Sequence, residues 1–249
     1  MTKVLIAGES WVSESTHYKG FDSFTSVTFE TGVDPLRDAL TASGVEVTYM
    51  PAHEVPERFP MTLEAFSPFD VVVLSDIGAN SILLHPDTWL RGQRTPNRLK
   101  VLAAWVERGG GLMMAGGYMS FQGFEGKAMY RNTPVDAVLP SIIEAWDDRV
   151  EAPEGAEAVV LDASHPVLAG VEGQWPALLG YNRFGVKDDA LVLARVNDDP
   201  LLAVREVGDG RTLAWASDIG PHWCPDEFVA WPGYRRLFSQ AIAWLAGER

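Results

Sequence analysis

Short apolar runs alternate with segments of helical periodicity in the first half of the chain. The predicted strands run from Lys3 to Gly8, from Val45 to Met50, from Asp70 to Asp76, and onward from Gly109. Helices are predicted to open at Asp34-Pro35, with Asp34 as N-cap, and at Thr95-Pro96. Strands that alternate with helices indicate an α/β fold whose mostly parallel sheet is covered on both faces.

The second half of the chain has a different pattern. Further strands are predicted at Glu157 to Leu161, Ala190 to Val196, Leu201 to Val207 and Arg211 to Ser217. Their short connections favour antiparallel hairpins. A last helix is expected over about Tyr234 to Leu245, with apolar residues at helical spacing. Because no linker or repeat interrupts the pattern, residues 1–249 are predicted to form a single domain.

Charge and composition exclude several classes of partner. The formal net charge of -14 argues against nucleic acid and against anionic membrane surfaces, since both attract clustered Lys and Arg. No apolar run approaches the roughly 20 residues that span a bilayer. The chain opens on a predicted strand instead of a signal peptide, and it has one cysteine, so no intrachain disulfide can form. These features predict a cytoplasmic protein.

Ligands of open parallel sheets bind beyond the carboxyl ends of the strands. Four loops are expected to meet there. Their candidate ligand-binding residues are Trp11, His17, Lys19 and Asp22 in the first loop, Asp76 and Asn80 in the second, and Gly116, Gly117 and Tyr118 in the third. The fourth follows the strand that ends near Ser217 and contains Asp218 and His222.

The first of these loops is predicted to be long and irregular, and such loops in compact domains are usually functional or disordered. Its aromatic residues Trp11, Tyr18, Phe21 and Phe24 argue against disorder. Aromatic faces beside ionisable side chains suit a small polar molecule with apolar faces, such as a sugar. Alternatively, the aromatic residues cover a sheet edge and the charges are solvated.

The best catalytic candidates are His222, Asp218 and Glu9. A histidine can serve as a general acid or base near neutral pH, and Asp218 could orient the ring of His222. The alternative is a histidine that caps the final helix or binds a backbone carbonyl. Cys224, in the same loop, would be a nucleophile only if it were exposed with a lowered pKa; otherwise it is packing.

The sequence indicates no cofactor and no metal. A His/carboxylate set of His17, Asp22, Asp76, Asp218 and His222 would suit zinc or non-haem iron. However, these residues lack the tight spacing of a metal-binding motif.

A glycine-rich turn follows the fourth strand, at Gly116 and Gly117. Strand-to-helix elbows that present a nucleophile need such residues, because positive φ angles are cheap only for glycine. Here no cysteine lies in the turn, and Ser120 comes too late to complete a Gly-x-Ser-x-Gly motif. The turn predicts a hydrolase-like scaffold without its usual chemistry, and its backbone amides are expected to face the pocket as anion or oxyanion donors.

As a set, these regions resemble the class I glutamine amidotransferase-like superfamily, and especially a "putative glutamine amidotransferase" branch related to ThuA-like trehalose-utilisation proteins. The resemblance rests on Gly8-Glu9-Ser10-Trp11, His17-x-Lys19-Gly20-Phe21-Asp22, Glu30-x-Gly32, Leu74-Ser75-Asp76-x-Gly78-x-Asn80, Ala115-Gly116-Gly117-Tyr118, His165-Pro166-x-x-x-Gly170 and Ala216-Ser217-Asp218-x-x-Pro221-His222-Trp223. It implies a flavodoxin-like three-layer α/β/α sandwich with additional antiparallel strands in the C-terminal half. It also implies that Gly117 stands where amidotransferases carry their cysteine.

Two functional hypotheses follow. In the first, the protein is an enzyme that binds or transforms a small polar metabolite, with a carbohydrate as one such class, without hydrolysing glutamine. In the second, it is a non-catalytic binding or assembly module of the same fold. The expected partner is a small-molecule ligand, and homo-oligomers could form through exposed aromatic residues such as Trp223 and Trp231, near Phe228.

Overall fold

The computed structural model of the protein describes residues 1–247. The strands are β1 (Lys3–Gly8), β2 (Ser10–Lys19), β3 (Asp22–Thr31), β4 (Glu46–Pro51), β5 (Val71–Ser75), β6 (Gly111–Ala115), β7 (Ser141–Ile143), β8 (Arg149–Ala156), β9 (Ala158–Val160), β10 (Leu178–Asn182), β11 (Phe184–Val186), β12 (Leu191–Val196), β13 (Asp199–Val207) and β14 (Gly210–Trp215). The helices are α1 (Asp34–Thr41), α2 (Val55–Arg58), α3 (Leu63–Phe66), α4 (Ala79–Leu83), α5 (Pro86–Trp89), α6 (Arg98–Glu107), α7 (Pro134–Val138), α8 (Asp226–Ala230) and α9 (Pro232–Leu245).

The central sheet has eight strands within the described residues, in the order β4-β1-β5-β6-β14-β13-β12-β9. Neighbours from β4 to β14 are parallel, whereas β13, β12 and β9 continue the sheet antiparallel. This arrangement confirms the predicted flavodoxin-like α/β fold with antiparallel strands in the C-terminal half. The assignment of the chain to a single domain stays a prediction.

The register of the parallel strands determines where the site lies. Gly8 is paired with Ser75, Ser75 with Ala115, and Ala115 with Trp215. The carboxyl ends of β1, β5, β6 and β14 therefore form one row at one edge of the sheet. As a result, the loops after these four strands emerge side by side.

The core forms because β5 is buried along its whole length and the helices pack their apolar stripes inward. Helices α1 and α9 pack against each other, and α6 packs with α3, α4 and α7. The buried residues of α1 are Leu36 and Leu40. The helices thus form two groups, as a layered α/β/α arrangement requires.

The predicted N-cap Asp34 is wrong, and so is the predicted opening of a helix at Thr95-Pro96. Helix α1 already includes Asp34, and the residue before it, Val33, has helical backbone angles and no capping side chain. Helix α6 begins after Asn97, whose side chain accepts a hydrogen bond from the backbone N–H of Lys100. Asn97 is the better cap because it directly precedes the helical turn, whereas Thr95 contacts Thr88 instead.

The predicted irregular first loop is a β-hairpin. Strands β2 and β3 pair with each other over their full length, from Ser10 opposite Thr31 to Lys19 opposite Asp22. We call residues 10–31 the arm. Its Thr, Val and aromatic residues favour strands, but nearly all residues of the arm are exposed, on both of its faces. The sequence therefore lacks the apolar/polar alternation that would have predicted two strands.

Candidate functional site

A cavity of about 250 Å³ lies at the carboxyl ends of the parallel strands. We call it the carboxylate pocket. Its lining residues are Glu9, Trp11, Asp76, Tyr118, Asp218, Pro221 and His222. All four of the loops singled out from the sequence contribute to it, because the strands before them end in one row.

Two of the acidic residues that line the pocket have positive φ angles, in the left-handed region of backbone conformation. Glu9, directly after β1, has φ 48°, and Asp76, directly after β5, has φ 44°. Such angles cost a non-glycine residue about 1 kcal/mol or more, and they cluster at functional sites. The hydrogen bond from the N–H of Glu9 to the carbonyl of Ser75 (2.8 Å) ties the two turns together.

The glycine turn after β6 lies between two carboxylates. Gly117 has φ 135°, and a Cβ atom built on it would lie 2.8 Å from Asp218 Oδ1 and 2.8 Å from Asp76 Oδ1. The two oxygens are therefore separated by no more than twice that distance. An L-amino acid at position 117 would suffer both backbone strain and a collision, so the carboxylates occupy the space that a side chain there would need.

The expectation that Gly116 and Gly117 offer free amides to a ligand is wrong. The N–H of Gly116 donates to the carbonyls of Trp215 (2.8 Å) and Ser217 (2.9 Å). The N–H of Gly117 donates to Asn182 Oδ1 at 2.9 Å. The end of β14 and the Asn182 side chain satisfy both donors, so an oxyanion in the pocket would have to use other groups.

The clustered carboxylates raise one another's pKa. Glu9 is only 5% exposed; burial, followed by the charges of Asp218 and Asp76, raises its pKa well above the usual value, although a hydrogen bond from Ser75 Oγ (2.5 Å) opposes this. Burial and the charge of Asp218 raise the pKa of Asp76 to about 6. The pocket thus holds one carboxyl group, Asp76, that gains and loses its proton near neutral pH, beside a second, Glu9, whose protonated form is favoured.

The structure brings His222 and Asp218 together. His222 Nδ1 lies 3.3 Å from Asp218 Oδ2, and this contact raises the pKa of the imidazole. The same carboxylate oxygen accepts a hydrogen bond from the N–H of Trp223 at 3.2 Å. Burial raises the pKa of Asp218 itself. The imidazole is half-exposed and its ring meets the Tyr118 ring edge-on, so it can reach a bound molecule.

Glu151 was missed by the sequence analysis. It lies on β8, its Oε1 accepts a hydrogen bond from the Tyr118 hydroxyl (3.0 Å), and its Oε2 accepts one from Trp223 Nε1 (3.0 Å). It thereby fixes two aromatic rings beside His222. No signal in the sequence indicates this role, because β8 pairs with β10 outside the central sheet and carries no motif.

Several predicted site residues lie outside the pocket lining. His17, Lys19 and Asp22 lie in the far half of the arm, where His17 stacks on Phe24. At roughly 3.3 Å per strand residue, Lys19 is about 26 Å along the strand from Trp11, the one arm residue that lines the pocket. Their membership in a binding site stays a prediction.

Two further candidates are engaged elsewhere. Asn80, in α4, directs its side-chain amide to the sulfur of Met129 at 3.6 Å. Cys224 is fully buried, and burial raises the pKa of its thiol far above the usual value. A buried thiol that keeps its proton is inert packing, so the structure favours the packing alternative for Cys224.

Within residues 1–247, no group of three or more His, Cys, Asp or Glu side chains is arranged to hold a metal ion. The His/carboxylate set that the sequence offered for a metal does not meet at one place, since His17 and Asp22 belong to the arm and not to the pocket lining. In the same part of the chain, every helix is too short or too polar to cross a bilayer.

Two solved structures share both sequence and fold with this chain. Cytoplasmic Protein STM3548 from Salmonella typhimurium is 43% identical, with 97% of this chain and 98% of that chain covered and a TM-score of 0.94. Cytoplasmic Protein STM1381 from Salmonella typhimurium LT2 is 42% identical, with 98% and 99% covered and a TM-score of 0.94. No curated protein matches.

A more distant structure shares the fold alone. A protein from Parabacteroides merdae named as ThuA-like is 14% identical, with 99% of this chain and 90% of that chain covered and a TM-score of 0.59. The family model described as "Putative glutamine amidotransferase" matches residues 3–247. The chain therefore belongs to this glutamine amidotransferase-like family.

Proposed function

We propose that this protein binds a small polar metabolite in the carboxylate pocket and carries out acid/base chemistry on it, without a covalent nucleophile. The observation that carries the proposal is the surroundings of Gly117. Asp76 and Asp218 flank the point where its side chain would begin, each 2.8 Å away. Carboxylate oxygens therefore occupy the position that a nucleophilic side chain at residue 117 would need. Carboxylates can transfer protons and form hydrogen bonds, so we propose this chemistry in place of nucleophilic attack.

Glutamine hydrolysis through a thioester is not supported by the available side chains. The protein contains one cysteine, Cys224, which is buried and holds its proton. Thiolate, not thiol, is the nucleophile in such chemistry. We therefore expect no glutaminase activity, although the family name refers to amidotransferases.

The remaining groups can act as an acid/base set. Asp218 holds the His222 imidazole and favours its protonated form, which makes His222 the candidate proton donor. Asp76, with its pKa near 6, is the candidate base at neutral pH. The raised pKa of the buried Glu9 favours its protonated form, which can donate a hydrogen bond.

The walls of the pocket suggest the class of ligand. The Trp11 and Tyr118 rings line it beside the carboxyl groups. Aromatic faces pack on the apolar faces of a sugar ring, and carboxyl groups bind its hydroxyls. A carbohydrate or related polyhydroxy compound fits this combination.

A cytoplasmic location is supported by the names of the two Salmonella relatives.

The test is a thermal-shift scan of the purified protein against sugars, sugar acids, polyols, amines and glutamine. A molecule that binds the folded state raises the melting temperature by mass action. We expect a polyhydroxy compound to stabilise the wild type and the His17→Ala control equally, and to stabilise the His222→Ala and Asp218→Asn variants less. A hit that shifts all four proteins equally would place its site elsewhere and contradict the proposal.

A non-catalytic binding module is the second candidate, and the lack of an available nucleophile favours it. Prolonged incubation of the identified ligand with the protein, followed by NMR of the small molecule, separates the two. A new product whose formation requires His222 supports the enzyme. Unchanged ligand with unchanged affinity supports the binding module.

A further inference from the structure

The two edges of the arm differ in how they are protected. Among the strands of residues 1–247, β2 and β3 pair with each other and with no third strand, so each presents one unpaired edge. Along β2, Glu14, His17 and Lys19 interrupt the edge. Along β3, the seven residues from Ser23 to Phe29 include no charge, no proline and no glycine.

An edge of this kind is unusual in a chain with a net charge of -14. Natural sheets block their edges with charges, proline or very short strands, because an open edge is a template for another strand. The central sheet follows this rule. Its edge strand β4 begins with Glu46 and ends with Pro51, and its other edge strand, β9, has three residues.

Exposed apolar side chains lie on both strands of the arm, and on β3 they accompany the uncharged edge. Phe24 is 53% exposed, Val27 65% and Phe29 51%. A two-stranded hairpin alone in water is only marginally stable, and a third strand or a packing partner is what usually stabilises one. The arm therefore has both the open backbone edge and the apolar side chains of an element that pairs with another strand.

We propose that the arm joins two copies of this chain by antiparallel pairing of β3 with β3 of the second copy around a two-fold axis. The occupant is a second copy because five uncharged residues, Ser23 to Val27, can pair with the same five residues of that copy. Centred on Thr25, the pairing sets Asp22 opposite Thr28 and Ser23 opposite Val27, so no like charges meet. Centring on Ser26 would instead set Asp22 opposite Glu30, which is unfavourable.

The size of this contact sets what to expect in solution. The seven residues that pair in each copy, 22–28, bury an area at the small end of specific interfaces. The dimer is therefore expected to dissociate on dilution.

The surface predicted from the sequence is a different one and is wrong, because Trp223 and Phe228 are fully buried and cannot form an exposed patch.

Cysteine cross-linking tests the geometry. The native Cys224 is buried and holds its proton, so an introduced cysteine reports alone. Thr25 and Thr16 are exposed cross-strand partners on opposite edges of the arm, which makes them a matched pair. Under mild oxidation we expect Thr25→Cys to form a disulfide-linked dimer and Thr16→Cys to stay largely monomeric. Equal cross-linking of both, or of neither, would overturn the proposal.

Sedimentation velocity on charged variants tests the energetics. We expect the wild type to show a concentration-dependent dimer, Thr25→Lys to be monomeric at the same concentrations, and Thr16→Lys to behave like the wild type. At concentrations low enough to keep all three proteins monomeric, equal melting temperatures would show that the substitutions changed association and left the monomer intact. A wild type that stays monomeric at about 100 μM, or an oligomer that survives Thr25→Lys, contradicts pairing through β3.

Discussion

The carboxylate pocket and the arm are neighbours in sequence, because Glu9 lines the pocket and the arm starts at Ser10. Polar residues usually lie at the surface and apolar residues in the core, and the two regions depart from this rule in opposite ways. Glu9, at the end of β1, is almost fully buried, whereas the arm that starts at Ser10 exposes Phe24 and Val27. Buried ionisable groups and exposed apolar side chains both cost stability, and both are more informative about function than ordinary core or surface residues. The pocket concentrates ionisable groups for chemistry; the arm presents backbone and apolar surface for contact.

The largest loss of stability is expected on substitution of Gly117, which lies between the carboxylates of Asp76 and Asp218. Gly117→Ala combines positive φ with a Cβ 2.8 Å from two carboxylate oxygens. We expect a loss of about 3 kcal/mol in the free energy of unfolding, measured by urea denaturation.

Gly109→Ala is the matched control for backbone strain. Gly109 also has positive φ (112°), but a Cβ there would have no neighbour closer than 3.9 Å. We expect it to cost about 1 kcal/mol. Equal losses in the two variants would show that the space around Gly117 is not limited by the carboxylates.

The next effect is a change in the pH dependence of stability. Asp76 has a pKa near 6 in the folded state, above its usual 3.8. Between these values the folded state binds more protons than the unfolded state, so this group makes stability fall as pH rises. Asp76→Asn keeps the acceptor for the N–H of Met119 and removes the charge. We expect it to be about 1–3 kcal/mol more stable than the wild type at pH 8 and nearly equal at pH 4.

Asp147→Asn provides a control of opposite sign. Hydrogen bonds from Arg149 lower the pKa of Asp147 to about 2, so the stability this group contributes is present above pH 3.8 and lost toward pH 2. Its replacement should destabilise the protein at pH 8. If Asp76→Asn also lost stability at pH 8, the carboxylates of the pocket would not oppose one another.

How much of this contrast could be predicted depends on the kind of signal. The sheet and the edge at which the pocket lies could be predicted from the sequence. Buried strands such as β5 are short apolar runs, and parallel strands align their carboxyl ends. The arm could not, because its side chains face solvent on both sides and leave no alternating pattern. The engagement of the Gly117 amide could not be predicted either, because it depends on Asn182, which is distant in sequence and becomes a neighbour only through folding.

A smaller effect is expected from Glu151, which fixes the aromatic side of the pocket. Both Tyr118 and Trp223 donate to its two oxygens, and a glutamine has only one acceptor oxygen to offer. Glu151→Gln should therefore lose one hydrogen bond, about 1 kcal/mol of stability. Because the charge of Glu151 also helps raise the pKa of His222, an NMR titration should show that pKa falling. Glu154→Gln, on the exposed part of the same strand, is the control; an equal response in both variants would contradict this role.

The smallest effect is expected from the far half of the arm, and it tests the separation of the two regions. His17 and Lys19 lie up to about 26 Å along the strand from Trp11, well beyond the roughly 10 Å over which salt screens charges at 0.1 M. The double variant His17→Ala, Lys19→Ala should leave the NMR titration of His222 unchanged and the Kd of a pocket ligand within about twofold. A clear shift in either quantity would mean that the arm folds over the pocket and that the two regions act as one site.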